Sequence, residues 1–206
     1  MNTSFITSRF AGNRMESLPS IVRSRGYETV FYHGGENGTM GFDAFSHLAG
    51  IERYVGKNQY PGSNDYDGNW GIFDEPFLQF CARDMSKMQE PFFAGIFTLS
   101  SHHPYTVPEV YKDVFEGGPL PILKSVEYAD YALRRFFETI SNEPWFENTI
   151  FVITADHTSQ TFNESYNNAL GNFRIPILFY APKYIEPKMD ERVVQQTDIF
   201  PSVIDF

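Results

Sequence analysis

The sequence predicts an α/β fold with a largely parallel central sheet and helices on both faces. Short, continuous apolar runs alternate along the chain with segments of helical periodicity, which is the order of elements in a parallel sheet. Hydrophobic residues make up 42% of the 206 residues and aromatic residues 17%, so the chain carries enough apolar surface to bury a core. This length suits one sizeable domain, and we expect residues 1–206 to form a single one.

The first half of the chain holds three predicted helices and two predicted strands. Ser17 precedes a helix that has Pro19 in its first turn and ends at Gly26. β-Branched and aromatic residues then predict a strand over Glu28–Tyr32. The later elements are a short helix over Asp43–Ala49, a loop over 56–72, a helix that Asp74 is expected to cap and that ends before Pro91, and a strand over Phe92–Leu99.

The second half holds the longest predicted helix, Ile122–Asn142, and two more strands. The strands cover Thr149–Thr154 and Ile175–Ala181. Their continuous apolar runs are typical of strands buried on both faces of a parallel sheet.

Composition excludes some functions. The net charge of −10 argues against non-specific binding of nucleic acid, which needs a basic surface. It leaves room for an anionic substrate, because a bound metal ion reverses the local field. The single cysteine, Cys81, excludes an internal disulfide, and we expect it to be a buried apolar residue. No apolar stretch is long enough to span a bilayer, and Met1–Ser4 does not begin a signal segment.

Histidines follow the predicted strands. His33 comes after the first strand, His102 and His103 after the second, and the pair Asp156-His157 after the third. Because the carboxyl ends of parallel strands meet at one edge of a sheet, where open α/β folds bind ligands, we expect these side chains to form one site.

The chemistry of these residue types suits transfer of an anionic group. An Asp-His pair offers an oxygen and a nitrogen ligand to one divalent ion. Nearby histidines can bind anionic oxygens or protonate a leaving group near neutral pH. Metal charge and imidazole donors at one place favour phosphoryl or sulfuryl transfer.

Plainer interpretations exist for each residue. A single histidine after a strand is most often a loop or capping residue, and Asp156-His157 could cap a turn. Residues 100–105 could form an ordinary polar loop, and His47, inside a short helix, suits a surface or core role. The repetition of the pattern after three strands favours a site.

Five motifs in order along nearly the whole chain have counterparts in a known family. They are Ser17–Ile21 with Phe31–Gly34, Asn69–Phe77, Leu99–Tyr105, Ile153–His157, and Arg174–Ile177 with Thr197–Ser202. These motifs resemble those of the sulfatase and lipoteichoic acid synthase branch of the alkaline phosphatase superfamily.

The resemblance implies an enzyme that hydrolyses or transfers sulfate or phosphate esters. It implies that Asp156 and His157 ligate a divalent metal, usually manganese, with zinc, calcium or magnesium as alternatives. His33 and His102 would be the catalytic residues that contact the substrate's anionic group or its leaving oxygen. Arg174 would support the site's loop, and His103 receives no role. Family members usually lie outside the cytoplasmic membrane behind a membrane anchor, and their anionic ester substrates can be linked to a lipid or a glycan.

Two departures from the family pattern matter. The family's nucleophile and a further acidic metal ligand precede the Ser-Leu-Pro segment, and the hydroxyl residues that come before it here lie too close to match: Thr3, Ser4, Thr7 and Ser8. We therefore expect a catalytic domain truncated at its amino terminus and inactive alone. Met40 and Phe42 stand near the places where lipoteichoic acid synthases grip glycerol phosphate with Trp and Arg. A sulfate ester, a phosphoethanolamine group or another phosphodiester thus remains open as the substrate.

A rival hypothesis from another class is a non-catalytic module that keeps this fold and binds an anionic glycan or lipid headgroup. A purely structural domain is a third interpretation, which the histidines after the strands disfavour.

Overall fold

The computed structural model describes residues 5–206, so Thr3 and Ser4 lie outside the described residues. The chain divides into two compact units, one that ends at Ile140 and a second from Ser141 to Phe206. The predicted α/β class, with a parallel sheet and helices, is confirmed. No helix of the described part is long and apolar enough to cross a bilayer.

The described residues of the first unit form a three-stranded parallel sheet and four α-helices. The strands lie in the order β2-β1-β3. In chain order the elements are α1 (Leu18–Ser24), β1 (Glu28–His33), α2 (Phe42–Leu48), β2 (Arg53–Val55), α3 (Asp74–Met85), β3 (Phe92–Phe97) and α4 (Pro121–Ile140).

The predicted elements of this unit are present, and β2 is an additional strand. The start of α1 is as predicted: Ser17 and Ser20 exchange side-chain to backbone hydrogen bonds, and Gly26 follows the helix with a φ of 90°. Cys81 is fully buried, also as predicted. The role expected for Asp74 is wrong, because Phe73 occupies the N-cap position and the Asp74 side chain bonds elsewhere.

Strand β1 is the centre of the sheet and is buried on both faces. Successive side chains of a strand point to opposite faces. Tyr32 donates a hydrogen bond to Asp84 of α3, whereas Phe31 packs against Phe42, the first residue of α2. Helices α2 and α3 therefore cover opposite faces of the sheet.

The register of β1 and β3 aligns their carboxyl ends. His33, the last residue of β1, pairs with Phe97, the last residue of β3. The loops that follow the two strands therefore start at the same edge of the sheet.

The second unit contains strands β4 (Phe151–Thr154) and β5 (Ile177–Tyr180) and helix α5 (Ile199–Asp205). The prediction that these strands are buried on both faces is wrong. They pair antiparallel, and β5 alternates in burial, with Leu178 54% exposed. Antiparallel pairs tolerate one solvated face, and a continuous apolar run does not reveal the direction of pairing.

Candidate functional site

His33 ends β1 inside a pocket of aromatic rings. Its side chain is 2% exposed, and its ring centroid lies 5.0 Å from that of Phe42 and 5.6 Å from that of Phe97. Burial among these groups penalises the imidazolium and lowers the pKa of His33 to about 4. His33 is therefore a neutral imidazole at physiological pH.

Tyr54 of β2 holds the imidazole from one side. Its hydroxyl oxygen lies 2.9 Å from Nδ1 of His33. Burial, with a further contribution from the charge of Asp43, raises the pKa of Tyr54 to about 12, so the hydroxyl keeps its proton. When this hydroxyl donates to Nδ1, the proton of His33 sits on Nε2 and can bind an anionic oxygen. Sequence reasoning missed Tyr54, and its only local signal was the Tyr-Val pair before Gly56.

His102 lies in a turn that begins at the end of β3. Its backbone N–H donates to the carbonyl oxygen of Leu99 at 3.1 Å, and its side chain is exposed. Nδ1 lies 3.0 Å from the carbonyl oxygen of His103. Because a carbonyl oxygen only accepts hydrogen bonds, we assign a proton to Nδ1 of His102. Nε2 takes no part in this hydrogen bond.

Trp70 packs against His102. The two ring centroids are 3.8 Å apart, and the indole Nε1 donates to the carbonyl oxygen of His103 at 2.6 Å. The carboxylate of Asp67 accepts hydrogen bonds from the backbone N–H groups of Asn69, Trp70 and Gly71, which fixes the loop that carries the indole. The turn-forming composition of this segment predicted a loop but not the contact with His102.

Gly71 connects the loops that carry His33 and His102. It pairs with Gly35 in an isolated β-bridge, and the next residue, Ile72, donates its N–H to the carbonyl oxygen of Gly34. A Cβ at Gly71 would lie 2.5 Å from Leu99 Cδ1 and 2.6 Å from the Gly34 oxygen. The structure thus brings His33 and His102 to one edge of the parallel sheet, in loops joined by a segment that only glycine fits.

The positions of Met40 and Phe42 offer no cation to a substrate. Met40 is 63% exposed, and Phe42 is part of the apolar wall around His33. The nearby Lys57 is paired with Glu36 and lies 3.9 Å from the ring centroid of Tyr66.

Asp156 and His157 follow β4 in the second unit, and both side chains are exposed. His157 Nε2 lies 3.4 Å from Asp156 Oδ2. His157 Nδ1 lies 2.6 Å from the carbonyl oxygen of Thr158, which assigns the proton to Nδ1 and leaves the Nε2 lone pair for a ligand bond.

This pair fits a divalent ion in chemistry and spacing. Two ligand atoms at about 2.1 Å from an ion in tetrahedral geometry lie roughly 3.4 Å apart. A catalytic ion usually takes at least three protein ligands. Within the described part of each unit, no group of three or more His, Cys, Asp or Glu side chains could hold one. Asp156 and His157 alone fall short of that number.

Other histidine and arginine positions have plainer surroundings. His47 is exposed on α2, with Nδ1 2.7 Å from the carbonyl oxygen of Asp43, in agreement with a surface role. His103 packs edge-on against Tyr105. Arg174 lies over the ring of Tyr166 in the second unit.

Comparison with known proteins places these motifs in one family. The sequence profile of the family described as Sulfatase matches residues 2–206. Lipoteichoic acid synthase 2 of Bacillus subtilis (strain 168) is 24% identical over 213 residues, which cover 94% of this chain and 32% of that protein. The chain thus spans about a third of the length of this curated relative.

Solved structures share the fold. A protein of the alkaline phosphatase superfamily from Vibrio parahaemolyticus superimposes with a TM-score of 0.85 and 27% identity, over 98% of this chain and 50% of that one. The lipoteichoic acid synthase LtaP from Listeria monocytogenes gives a TM-score of 0.77 at 18% identity, over 91% of this chain and 51% of that one, a likeness of fold alone.

Proposed function

The chain belongs to the sulfatase family, and we propose from this premise that it supplies part of a metal-dependent site that hydrolyses or transfers phosphate or sulfate esters. The observation that carries the proposal is the position of His33 and His102 at the carboxyl edge of one parallel sheet. Open α/β folds bind their ligands at this edge.

His33 and His102 take different roles in the proposed reaction. His33 is buried and neutral, so it donates a hydrogen bond from Nε2 to an anionic oxygen without adding charge. His102 is exposed, and in its protonated form Nε2 donates a hydrogen bond to the substrate's anionic group or gives its proton to the leaving oxygen. The two imidazoles together position the ester, which is the main contribution of protein groups to phosphoryl transfer.

Asp156 and His157 would hold the divalent ion. Such an ion, when bound, neutralises charge on the ester oxygens and polarises the bond to be cleaved. A carboxylate oxygen and an imidazole nitrogen, with no thiolate, suit manganese, with zinc, calcium or magnesium as alternatives.

The proposed substrate is an anionic ester, and the residues at positions 40 and 42 give no support to glycerol phosphate in particular. Met40, an exposed thioether, and Phe42, an apolar ring, stand near the places where the resemblance puts the Trp and the Arg of lipoteichoic acid synthases. A sulfate ester, a phosphoethanolamine group and another phosphodiester remain the candidates, and the ester can be linked to a lipid or a glycan. We further propose an extracytoplasmic location and, because no residue matches the family's nucleophile, no turnover by these 206 residues alone.

Inorganic phosphate and sulfate are suitable probes for this proposal. Each is titrated into the isotopically labelled chain while the imidazole resonances of His33 and His102 are followed by NMR. We expect saturable shifts that the substitution His102→Gln weakens at least about tenfold, because a charged-group contact is lost. The exposed His47→Gln is the matched control and should bind as the unaltered chain does.

Two outcomes would contradict the proposal. If neither anion moves the His102 resonances, the substrate role of this edge fails. If the chain turns over p-nitrophenyl phosphate, bis-p-nitrophenyl phosphate or p-nitrophenyl sulfate, the proposed inactivity of the chain alone is wrong.

A non-catalytic module that binds an anionic glycan or lipid headgroup is the second candidate. It is favoured because the described residues hold no group of three metal ligands, and two ligands rarely hold a catalytic ion. Anion binding that is unaffected by divalent metals would support this candidate over the enzyme.

A further inference from the structure

A buried carboxylate lies beneath the turn that carries His102. Asp74, the first residue of α3, is 2% exposed. Its Oδ1 accepts hydrogen bonds from the backbone N–H of Leu99 at 2.8 Å and of Ser100 at 3.1 Å. In return, the backbone N–H of Asp74 donates to the Ser100 hydroxyl at 2.9 Å. Three hydrogen bonds thus tie one end of α3 to the residues that follow β3.

Leu99 connects the Asp74 carboxylate to His102 through two backbone hydrogen bonds. Its N–H is held by Asp74, and its carbonyl oxygen accepts the N–H of His102 at 3.1 Å. Leu99 and Ser100 are themselves buried, so little space is left for the turn to shift. A single residue, Leu99, therefore links the Asp74 carboxylate to the backbone of His102, and this link fixes the direction of the His102 side chain.

A buried carboxylate at Asp74 destabilises the fold more than an uncharged hydrogen-bond acceptor would. Its second oxygen, Oδ2, is buried and has no hydrogen-bond partner among the described residues. Burial also raises the pKa of the Asp74 carboxyl group. A buried polar atom without a partner is destabilising, and an uncharged acceptor could make the same two bonds without a buried charge. What a carboxylate adds in its ionised form is strength, because hydrogen bonds to an ionised acceptor are shorter and stronger than neutral ones.

The same short segment holds His102 from a second side. Trp70, four residues before Asp74, packs its ring against the imidazole and donates to the carbonyl oxygen of His103. The turn is therefore fixed at its start by Asp74 and at the imidazole by Trp70.

We propose that Asp74 is a positioning residue for His102: its carboxylate fixes the start of the Leu99–His102 turn and thereby the orientation of the imidazole toward the substrate. The substrate side of this inference rests on the proposed function of His102. The orientation itself does not depend on that function and can be measured without it.

The test compares Asp74→Ala and Asp74→Asn with the unaltered 206-residue chain by NMR. In Asp74→Ala we expect the Leu99 and Ser100 amides to exchange at least about tenfold faster, since their acceptor is lost. We also expect the imidazole 15N resonances of His102 to move toward values of averaged tautomers, and phosphate affinity to fall about fivefold or more. Asp74→Asn keeps an oxygen acceptor and should restore most of the His102 signature.

A carboxylate that only stabilised the fold would not alter the tautomer signature of His102. Asp84→Asn, at the other end of α3, removes a different partly buried carboxylate and is the matched control, with His102 resonances unchanged. If Asp74→Ala does not fold, Ser100→Ala decides the question: it removes the bond from the Asp74 N–H and should shift the same resonances less. Unchanged His102 resonances in folded Asp74→Ala, or in Ser100→Ala where Asp74→Ala does not fold, would overturn the proposal. Absence of phosphate binding in the unaltered chain would count against the proposed function alone.

Discussion

The hydroxyl oxygen of Tyr54 lies 2.9 Å from Nδ1 of His33, between two strands that are neighbours in the sheet. Both side chains are buried, so this hydrogen bond is not exchanged with water. It fixes the plane of the imidazole and determines which nitrogen carries the proton. Tyr54 therefore orients the imidazole of His33, the role that we propose for Asp74 toward His102.

Replacing Tyr54 by Phe should remove the hydroxyl and leave Nδ1 of His33 buried without its partner. We expect a loss of about 1–2 kcal/mol in the free energy of unfolding, the usual cost of a broken buried hydrogen bond. Urea denaturation measures this loss. The matched control is Tyr27→Phe, because the Tyr27 hydroxyl makes no hydrogen bond within the described residues. A loss no larger than that of the control would count against the Tyr54–His33 bond.

The buried His33 should make stability depend on pH. Burial lowers its pKa from 6.5 to about 4. Above the unfolded pKa neither state binds the proton, and the contribution to stability is fully present. As pH falls from 6.5 to about 4, the unfolded chain binds the proton while the folded chain does not, so stability is lost. Allowing for solvent screening, we expect roughly 1–3 kcal/mol from this group.

Urea denaturation at neutral pH and near pH 4.5 checks this dependence. His33→Gln should show a smaller loss of stability on acidification than the unaltered chain. His47→Gln, which changes an exposed imidazole, should lose as much as the unaltered chain. Equal acid sensitivity of His33→Gln and the unaltered chain would show that folding does not lower the pKa of His33.

Gly71→Ala should disturb both histidine loops. The added Cβ would lie 2.6 Å from the backbone oxygen of Gly34 and 2.5 Å from Leu99 Cδ1, so the backbone must move. We expect a loss of about 1–3 kcal/mol from overpacking, measured as a lower melting temperature. Gly12→Ala is the control, because a Cβ at Gly12 meets no atom within 4 Å. A melting temperature equal to that of the control would disprove the tight fit.

Replacement of either proposed ligand should weaken binding of Mn²⁺ by at least about tenfold. Asp156→Asn removes the charged oxygen, and His157→Gln removes the nitrogen donor. Isothermal titration with Mn²⁺ measures both effects. Asp190→Asn, an exposed carboxylate paired with Arg192 in the same unit, should bind as the unaltered chain does. Equal affinities for all four chains would remove Asp156 and His157 from the ligand set.

Local patterns in the sequence predicted most elements of the first unit. Ser17 and Gly26 bound α1 because a capping side chain and a left-handed residue act on their own neighbours. The apolar runs of β1 and β3 were recognised for the same reason, and with them the positions of His33 and His102 just past the strands.

Contacts between residues far apart in the chain left no such signal. Strand β2 is three residues long and is defined by its pairing with β1, so Tyr54 was not assigned to the site. The antiparallel pairing of β4 with β5 likewise could not be predicted, because an apolar run does not indicate which strand it pairs with or in which direction.

The sequence by itself determined the family, the α/β class and which histidines follow which strands, because these follow from residue types and short-range order. Only the tertiary structure decided that His33 is a buried neutral imidazole, since its pKa reflects surroundings supplied by β2, β3 and α2. Only the tertiary structure turned Asp74 from an expected helix cap into a support for the His102 turn. Hydrogen bonds and burial depend on residues that are distant in sequence. The pattern around Asp74 therefore could not reveal that its carboxylate accepts hydrogen bonds from Leu99 and Ser100.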